Sequence, residues 1–290
     1  MAGGIGSRFW PMSTEEFPKQ FHDVLGMGKT LLQMSFERML LVCPKENIFI
    51  VTNASYKDLV AEQLPEIEEH QILLEPSRKN TAPCLAYASY KIKKMNPDAV
   101  LVVAPSDHIV LKEQAFKETL ETAITQSTSE NCLVTLGIKP SRPDTGYGYI
   151  QFLDNVEGSK NEVRDVKMFT EKPDLDLAKE FISSGDFYWN AGIFVWTADA
   201  IIESFKQHLP TIHELFVEGM NVYNTEMEAE FIEHTYAECK NISIDYGIME
   251  KAKNVYVVLS DFGWSDLGTW GALYGHIDKT TYTFLAFTII

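Results

Sequence analysis

Residues 99–108 read A-V-L-V-V-A-P-S-D-H. An unbroken apolar run ending at a proline has the length of a strand buried on both faces, the kind that layered α/β folds use. The residues that follow, Pro105, Ser106, Asp107 and His108, then fall at the carboxyl end of the strand, where open α/β sheets bind ligands. Working outward, runs at 47–52, 132–138, 192–196 and 255–259 read the same way. Amphipathic helical patterns alternate with them at 31–41, 56–64, 82–95, 115–127, 176–183, 200–208 and 227–239. The first helix opens on a capping box, with Thr30 at the N-cap and Gln33 three residues on. This alternation predicts an α/β fold, and the lack of a linker, composition shift or repeat predicts one domain with a mostly parallel sheet.

The chain has 290 residues and sets 25 Lys+Arg against 41 Asp+Glu, a formal charge of -16. Its apolar share of 45% supports a substantial core and excludes disordered and fibrous classes. A pI near 4.9 disfavours nucleic acid and anionic membranes as partners. No apolar run approaches the roughly 18 residues of a membrane span, and no leader is visible, so the expected location is cytoplasmic. Cys43, Cys84, Cys132 and Cys239 are far apart with no C-x-x-C pair, which fits reduced thiols better than a disulfide or zinc framework. An anionic small substrate suits such a chain only where bases gather or a cation intervenes.

The ends carry expectations of their own. A glycine loop is normally aimed by a strand before it, so a first strand is expected to be missing ahead of Ala2. Residues 1–278 read as the main domain and 279–290 as an atypical tail, either an ordinary strand docked on the sheet or an abnormal end.

Several clusters have the makings of a binding site. Gly3, Gly4 and Gly6 permit backbone N–H groups to approach phosphate oxygens, with Arg8 and Lys19 adding charge; a tight turn is the plainer account. Phe9 replaces the third glycine of a dinucleotide fingerprint, and Asp23 stands where a Walker loop before Gly28-Lys29-Thr30 needs glycine. In the stretch 75–83, Asn80 or Thr81 caps the following helix or lies against a nucleotide base. Asp107 suits a hard cation such as Mg²⁺ with Asp266 as its partner, although a turn also explains Asp266. His108 reads as a hydrogen-bonding core histidine. Lys172 is a point charge suited to phosphate and Glu171 an acceptor for sugar hydroxyls, unless the two are an exposed ion pair. The clusters at 144–149 and 188–193, holding Gly146 and Asn190, serve sugar binding or core packing. With no G-x-S-x-G, no H-E-x-x-H and no Cys/His pair, hydrolase and zinc-enzyme classes lose support.

Taken in order, these pieces resemble the sugar nucleotidyltransferases, which make nucleoside-diphosphate sugars. The resemblance spans residues 2–278. It rests on A-G-G-x-G-S-R-x-W-P (2–11), P-K-Q (18–20), E-P-x-x-x-N-T-A-P (75–83), P-S-D-H (105–108) and T-G-Y-G-Y-I (145–150). It continues through F-x-E-K-P (169–173), W-N-A-G-I-F (189–194), S-I-D-Y-G-I-M-E (243–250) and W-S-D-L-G-T-W (264–270). It implies a Rossmann-like α/β domain with a mixed, mostly parallel central sheet flanked by helices. The implied reaction moves GMP from GTP to mannose 1-phosphate with Mg²⁺, giving GDP-mannose and pyrophosphate. By resemblance, Gly3, Gly4, Gly6, Arg8 and Lys19 hold the triphosphate, while Asn80 and Thr81 lie by the base and ribose. Gly146, Glu171, Lys172 and Asn190 hold the sugar phosphate, and Asp107 and Asp266 bind the metal. Asp245 matches a motif, with contact to the sugar and bracing of the site both open.

A sugar phosphate oxygen is already a nucleophile, so the implied catalysis is positioning plus neutralisation, with Arg8, Lys19 and Lys172 as catalytic cations. Another sugar phosphate or nucleotide, or a non-catalytic sensor of nucleotide sugars, remains as the alternative, and a homodimer is left open.

Overall fold

The protein is described by a computed structural model over residues 1–4, 6, 9–153 and 163–268. Its first half runs α1 (Leu31–Met39), β1 (Ile50–Asn53), α2 (Lys57–Gln63), β2 (Ile72–Glu75), α3 (Thr81–Met95), β3 (Val100–Val103), β4 (Ile109–Val110) and α4 (Glu113–Ser129). The second half runs β5 (Leu133–Ile138), β6 (Gly148–Phe152), β7 (Val163–Glu171), α5 (Leu175–Ser184), β8 (Phe187–Thr197), α6 (Ala198–His208), α7 (Pro210–Val217), α8 (Glu228–Glu238), β9 (Val255–Ser260) and β10 (Trp264–Ser265). The tail at 279–290 and Arg8 lie outside the described residues.

Local chemistry sets the helix starts. The Thr30 hydroxyl accepts from the Gln33 N–H while the Gln33 side chain accepts from the Thr30 N–H, the expected capping box. Asn80 caps α3 from a strained backbone at φ 68°, ψ -170°, with its side-chain oxygen accepting from the Thr81 N–H. Asp174 and Thr197 cap α5 and α6 from extended backbone, each accepting from the N–H three residues on, and Gly185 ends α5 at φ 83°.

The sheet is mixed, as expected, but it is not mostly parallel. Strand order in the main sheet is β3-β8-β5-β9-β7-β6, and β6 also pairs with β8, closing a barrel-like ring. Only β5–β9 is parallel there; β3–β8, β5–β8, β6–β7, β6–β8 and β7–β9 are antiparallel. The expectation failed for a definable reason. Strands β3 and β5 point the same way, as a helix-connected pair should, but the 11-residue β8 returns between them in the opposite sense. A buried apolar run reports burial on both faces and not the direction of its neighbour.

The largest apolar cluster lies between α3, α6, α7, α8 and the sheet, around Tyr90, Trp196, Phe205, Phe216 and Tyr236, all 1% exposed or less. A second packs α4 on β5 and β8. A third, around Phe21, Leu32, Phe36, Tyr56 and Val60, supports the separate parallel pair β1–β2.

Met1 and Ala2 join that pair to the main sheet. The Met1 amino group donates to the Ala104 carbonyl at 3.0 Å, and the Ser106 N–H donates to the Met1 carbonyl, also at 3.0 Å. On the other side the Ala2 N–H donates to the Val51 carbonyl at 2.7 Å. A cavity of about 490 Å³ between β1 and β3 continues from this link, lined by apolar residues such as Ile50, Val51, Leu85, Ala88 and Leu101.

Candidate active site

The glycine loop is held from beneath. Gln20 donates through its side-chain amide to the Ala2 and Gly4 carbonyls at 2.7 and 3.0 Å. Gly6 has φ 66°, and a Cβ there would sit 2.6 Å from the Lys19 Cβ, so glycine is needed both for the backbone and for the space. Sequence reading marked the glycines and Lys19 and passed over Gln20, whose adjacency to Lys19 was the available signal.

Lys19 is 3% exposed, and its ammonium lies between the two predicted metal ligands. It donates to Asp107 Oδ2 at 3.0 Å and to the Asp266 backbone carbonyl at 2.6 Å. The aspartates are 159 residues apart, yet β10 pairs with β4 in the register Ser265↔Ile109, which sets Asp266 beside the stretch holding Asp107. Burial would push the Asp107 carboxyl up, but the Lys19 ammonium, by its charge and its hydrogen bond, outweighs it and holds it below the usual range. Tyr147 donates its hydroxyl to Asp266 Oδ1 at 2.6 Å, and the Gly268 N–H reaches the same oxygen at 2.8 Å. His108 accepts from the Trp264 indole N–H at 3.1 Å, consistent with its expected core role.

The other predicted cluster is built on strands. Gly148 pairs with Glu171 across β6–β7. A Cβ at Gly148 would lie 2.5 Å from Glu171 Oε2, so glycine at 148 makes room for that carboxylate. Gly146 donates its N–H to Asp144 Oδ1 at 3.0 Å in the turn before it. Lys172 donates to Glu171 Oε1 at 2.7 Å, yet its side chain remains 54% exposed and open to a ligand. Burial works against its ammonium, but Glu171 and then Asp245 and Tyr246 hold its pKa above the ordinary lysine value.

Asn190 is aimed by an irregularity in β8. The β5–β8 register passes from Thr135↔Phe194 to Gly137↔Asn190, so β8 carries two extra residues there, with Gly192 at φ 68°. Asn190 Oδ1 accepts from the Thr135 hydroxyl at 2.9 Å and the Gly192 N–H at 3.1 Å, and its amide N–H donates to Asp245 Oδ1 at 2.9 Å. Burial, reinforced by the Glu171 charge, moves the Asp245 carboxyl up. Thr135 gave no sequence signal, because a threonine in a buried strand reads as core.

Asn80 and Thr81 lie at the start of α3, facing the segment that leads to Asp245. The Ile244 N–H donates to the Thr81 hydroxyl at 2.8 Å, so that oxygen braces the chain. Tyr147 connects the two clusters: its hydroxyl holds Asp266, and its carbonyl accepts from the Lys172 N–H at 3.2 Å.

Cations and carboxylates thus gather in two linked clusters, Lys19 with Asp107 and Lys172 with Glu171, within a chain of charge -16. The fold and site define an α/β protein with two charged clusters joined through Tyr147. The family described as nucleotidyl transferase matches residues 1–282, and the chain belongs to that family. A mannose-1-phosphate guanylyltransferase of Salmonella montevideo is 38% identical over 285 residues, covering 96% of this chain and 59% of the relative. That of Escherichia coli K12 is 36% identical over 281 residues, covering 94% and 58%. The chain thus spans about three-fifths of the length of these curated relatives. A solved structure from Thermus thermophilus, described as a mannose-1-phosphate geranyltransferase, aligns with TM-score 0.84 at 34% identity, covering 95% of this chain and 78% of that one. Among the described residues no helix is long and apolar enough to cross a membrane.

Proposed function

We propose that this chain transfers GMP from GTP to mannose 1-phosphate, releasing pyrophosphate and forming GDP-mannose, with residues 1–278 as the catalytic domain. The observation that carries the reading is the buried Lys19 ammonium held between Asp107 and Asp266, joined through Tyr147 to the Glu171–Lys172–Asn190 cluster. The names of the guanylyltransferase relatives supply the base and the sugar.

In this reading the glycine loop and Lys19 hold the triphosphate. Lys19 has three N–H donors, two of them directed to Asp107 and the Asp266 carbonyl, which leaves one for a phosphate oxygen. Lys172 holds the sugar phosphate so that its oxygen lies in line with the α-phosphorus, and Glu171 and Asn190 fix the sugar. No general base is needed, since the attacking oxygen is already ionised. Like charges about 4 Å apart repel by roughly 4 kcal/mol at an effective dielectric of 20, so neutralisation is the main task of the site.

Among the described residues no three His, Cys, Asp or Glu gather as a closed metal cage. Mg²⁺ is commonly held by one or two carboxylates together with substrate phosphates, so Asp107 and Asp266 fit it. When bound, the ion would neutralise phosphate oxygens.

The test is pyrophosphate release with GTP and mannose 1-phosphate, run beside other nucleotides, other sugar 1-phosphates and geranyl diphosphate, with and without a chelator. Mg²⁺-dependent release confined to GTP and mannose 1-phosphate supports the reading. Faster turnover of another pair reassigns the substrates, and binding of nucleotide sugar without any turnover makes the chain a sensor.

A further inference from the structure

Arg142 belongs to neither charged cluster, yet it lies against the residue that joins them. Its guanidinium carbon is 6.0 Å from the Tyr147 ring centroid and 5.3 Å from that of Trp189. Those two rings meet edge to face at 4.9 Å and 70°, so the charge rests on an aromatic ledge at cation–π distance. The Tyr147 hydroxyl, which donates to Asp266 Oδ1, is 3.5 Å from one Arg142 terminal nitrogen. The Tyr147 carbonyl accepts from the Lys172 N–H. Tyr147 therefore places a cation where the two clusters meet.

Bracing of the turn is the plainer account of Arg142, and the hydrogen bonds argue against it. Arg142 donates to Asp144 Oδ2 at 2.7 Å, but the turn is held without it. Asp144 Oδ1 accepts from the Gly146 N–H and the Asp144 N–H donates to the Tyr149 hydroxyl, both at 3.0 Å. Both Arg142 hydrogen bonds among the described residues come from one terminal nitrogen, which leaves the donors on the other terminal nitrogen and on Nε. The side chain is 50% exposed, so a ligand can reach them. A planar guanidinium with two adjacent donors matches the oxygens of a phosphate, which a point charge such as lysine does not.

We propose that Arg142 is a further catalytic residue, bonding the diphosphate that links sugar to nucleoside as it forms. The proposal rests on reading the two clusters as nucleotide and sugar-phosphate subsites. In that reading a sugar-phosphate oxygen bonds to the α-phosphorus while the bond from that phosphorus to pyrophosphate breaks. A diphosphate spanning the two clusters therefore exists only from the transition state onward. A cation at the junction meets its ligand at that stage and in neither substrate alone. Interactions realised only in the transition state raise kcat rather than lower KM.

The experiment compares wild type with Arg142→Met, Arg142→Lys and Asp144→Asn, by pyrophosphate release and, separately, by calorimetric binding of GTP, mannose 1-phosphate and GDP-mannose. Arg142→Met is expected to lower kcat by about 10²-fold, as loss of one transition-state donor does, with both KM values near wild type. Its affinity for GDP-mannose should fall by about 10-fold or more, the effect of a lost charge-assisted bond, while the affinities for GTP and mannose 1-phosphate hold. Arg142→Lys should recover only part of the rate, and added guanidinium at millimolar concentration should raise the rate of Arg142→Met but not of wild type. The melting temperature should stay near wild type, since the side chain is half exposed. Unchanged kcat, or a loss of GTP affinity equal to that of GDP-mannose, overturns the proposal. So does an Asp144→Asn variant that reproduces every loss together with a lower melting temperature, which makes Arg142 a brace. If another substrate pair is turned over, the proposed function fails on its substrates while the same comparison runs on that pair and its product. If no nucleotide sugar forms or binds, both readings fall.

Discussion

The two proposed subsites, for sugar phosphate and for nucleotide, are placed by different means. On the sugar side, ladder registers do the positioning: Gly148↔Glu171 sets the carboxylate, and Gly137↔Asn190 with the β8 irregularity sets the amide. On the nucleotide side the glycine loop has no such ladder. It is held by Gln20, by Lys19 and by the short Met1–Ala2 link between β1 and β3. A ladder distributes a perturbation over many hydrogen bonds, whereas a single buried ammonium concentrates it. Substitutions should therefore fail differently in the two regions.

The largest difference is expected at the charge cluster. Lys19→Met removes the cation shared by Asp107 and Asp266, and Asp107→Asn or Asp266→Asn removes a proposed metal ligand. Each should lower kcat/KM by about 10²–10³-fold, the effect of losing a preorganised electrostatic partner. Steady-state pyrophosphate release at saturating Mg²⁺ checks this, and wild-type rates in both aspartate variants would sink the metal assignment. On the sugar side, Lys172→Ala should raise the KM for mannose 1-phosphate by roughly 10–100-fold, the range of one lost charge-assisted bond, while the KM for GTP barely moves. Equal effects on both substrates would erase the distinction between the subsites.

A smaller effect concerns stability on the nucleotide side. Glu75 closes β2 beneath the loop at 7% exposure, with Tyr236 donating to its Oε1 at 3.0 Å. Burial pushes its carboxyl from 4.5 to about 7, against the opposing pull of Tyr236, the amino terminus and Arg78. The folded state therefore holds a proton that the unfolded chain releases at lower pH. The associated stability is fully present below pH 4.5 and is lost as pH rises through about 7. Glu75→Gln stays neutral, so above that range it should be more stable than wild type by about 1–3 kcal/mol. Urea midpoints at both ends of this window measure it; parallel pH profiles for the two proteins would show that Glu75 does not titrate as described.

How much of this was legible in the sequence follows the same division. Buried strands such as 99–104, the Thr30 capping box and the Asn80 cap were readable, because periodicity and local hydrogen bonding act over a few residues. Asp266 was paired with Asp107 because both carboxylates suit a hard cation, but the cause of their proximity, the β4–β10 ladder, is a long-range pairing of two-residue strands with no pattern to detect. The antiparallel return of β8 was invisible for a related reason: Tyr188, Trp189 and Asn190 look like a ligand cluster, yet they are also strand residues. That Gly148 is the glycine facing the Glu171 carboxylate follows only from the β6–β7 pairing, which the sequence pattern does not reveal.

Three glycines give the finest test of the contrast. A Cβ at Gly4 would meet nothing within 4 Å, so Gly4→Ala should leave stability and both KM values near wild type unless a phosphate needs that space. Gly6 combines φ 66° with a 2.6 Å approach to the Lys19 Cβ, and Gly6→Ala should destabilise by about 1–2 kcal/mol, the scale of a left-handed backbone forced on an L side chain. At Gly148 the added methyl would meet Glu171 Oε2, the end of a side chain that can turn aside, so the fold should survive. The displaced carboxylate would no longer face the sugar, and a shift near 1 Å is enough to impair catalysis strongly. Gly148→Ala should therefore raise the KM for mannose 1-phosphate several-fold without moving the melting temperature. A loss of stability there instead would mean that the ladder tolerates less than its distributed bonding suggests, and that the two subsites are equally brittle.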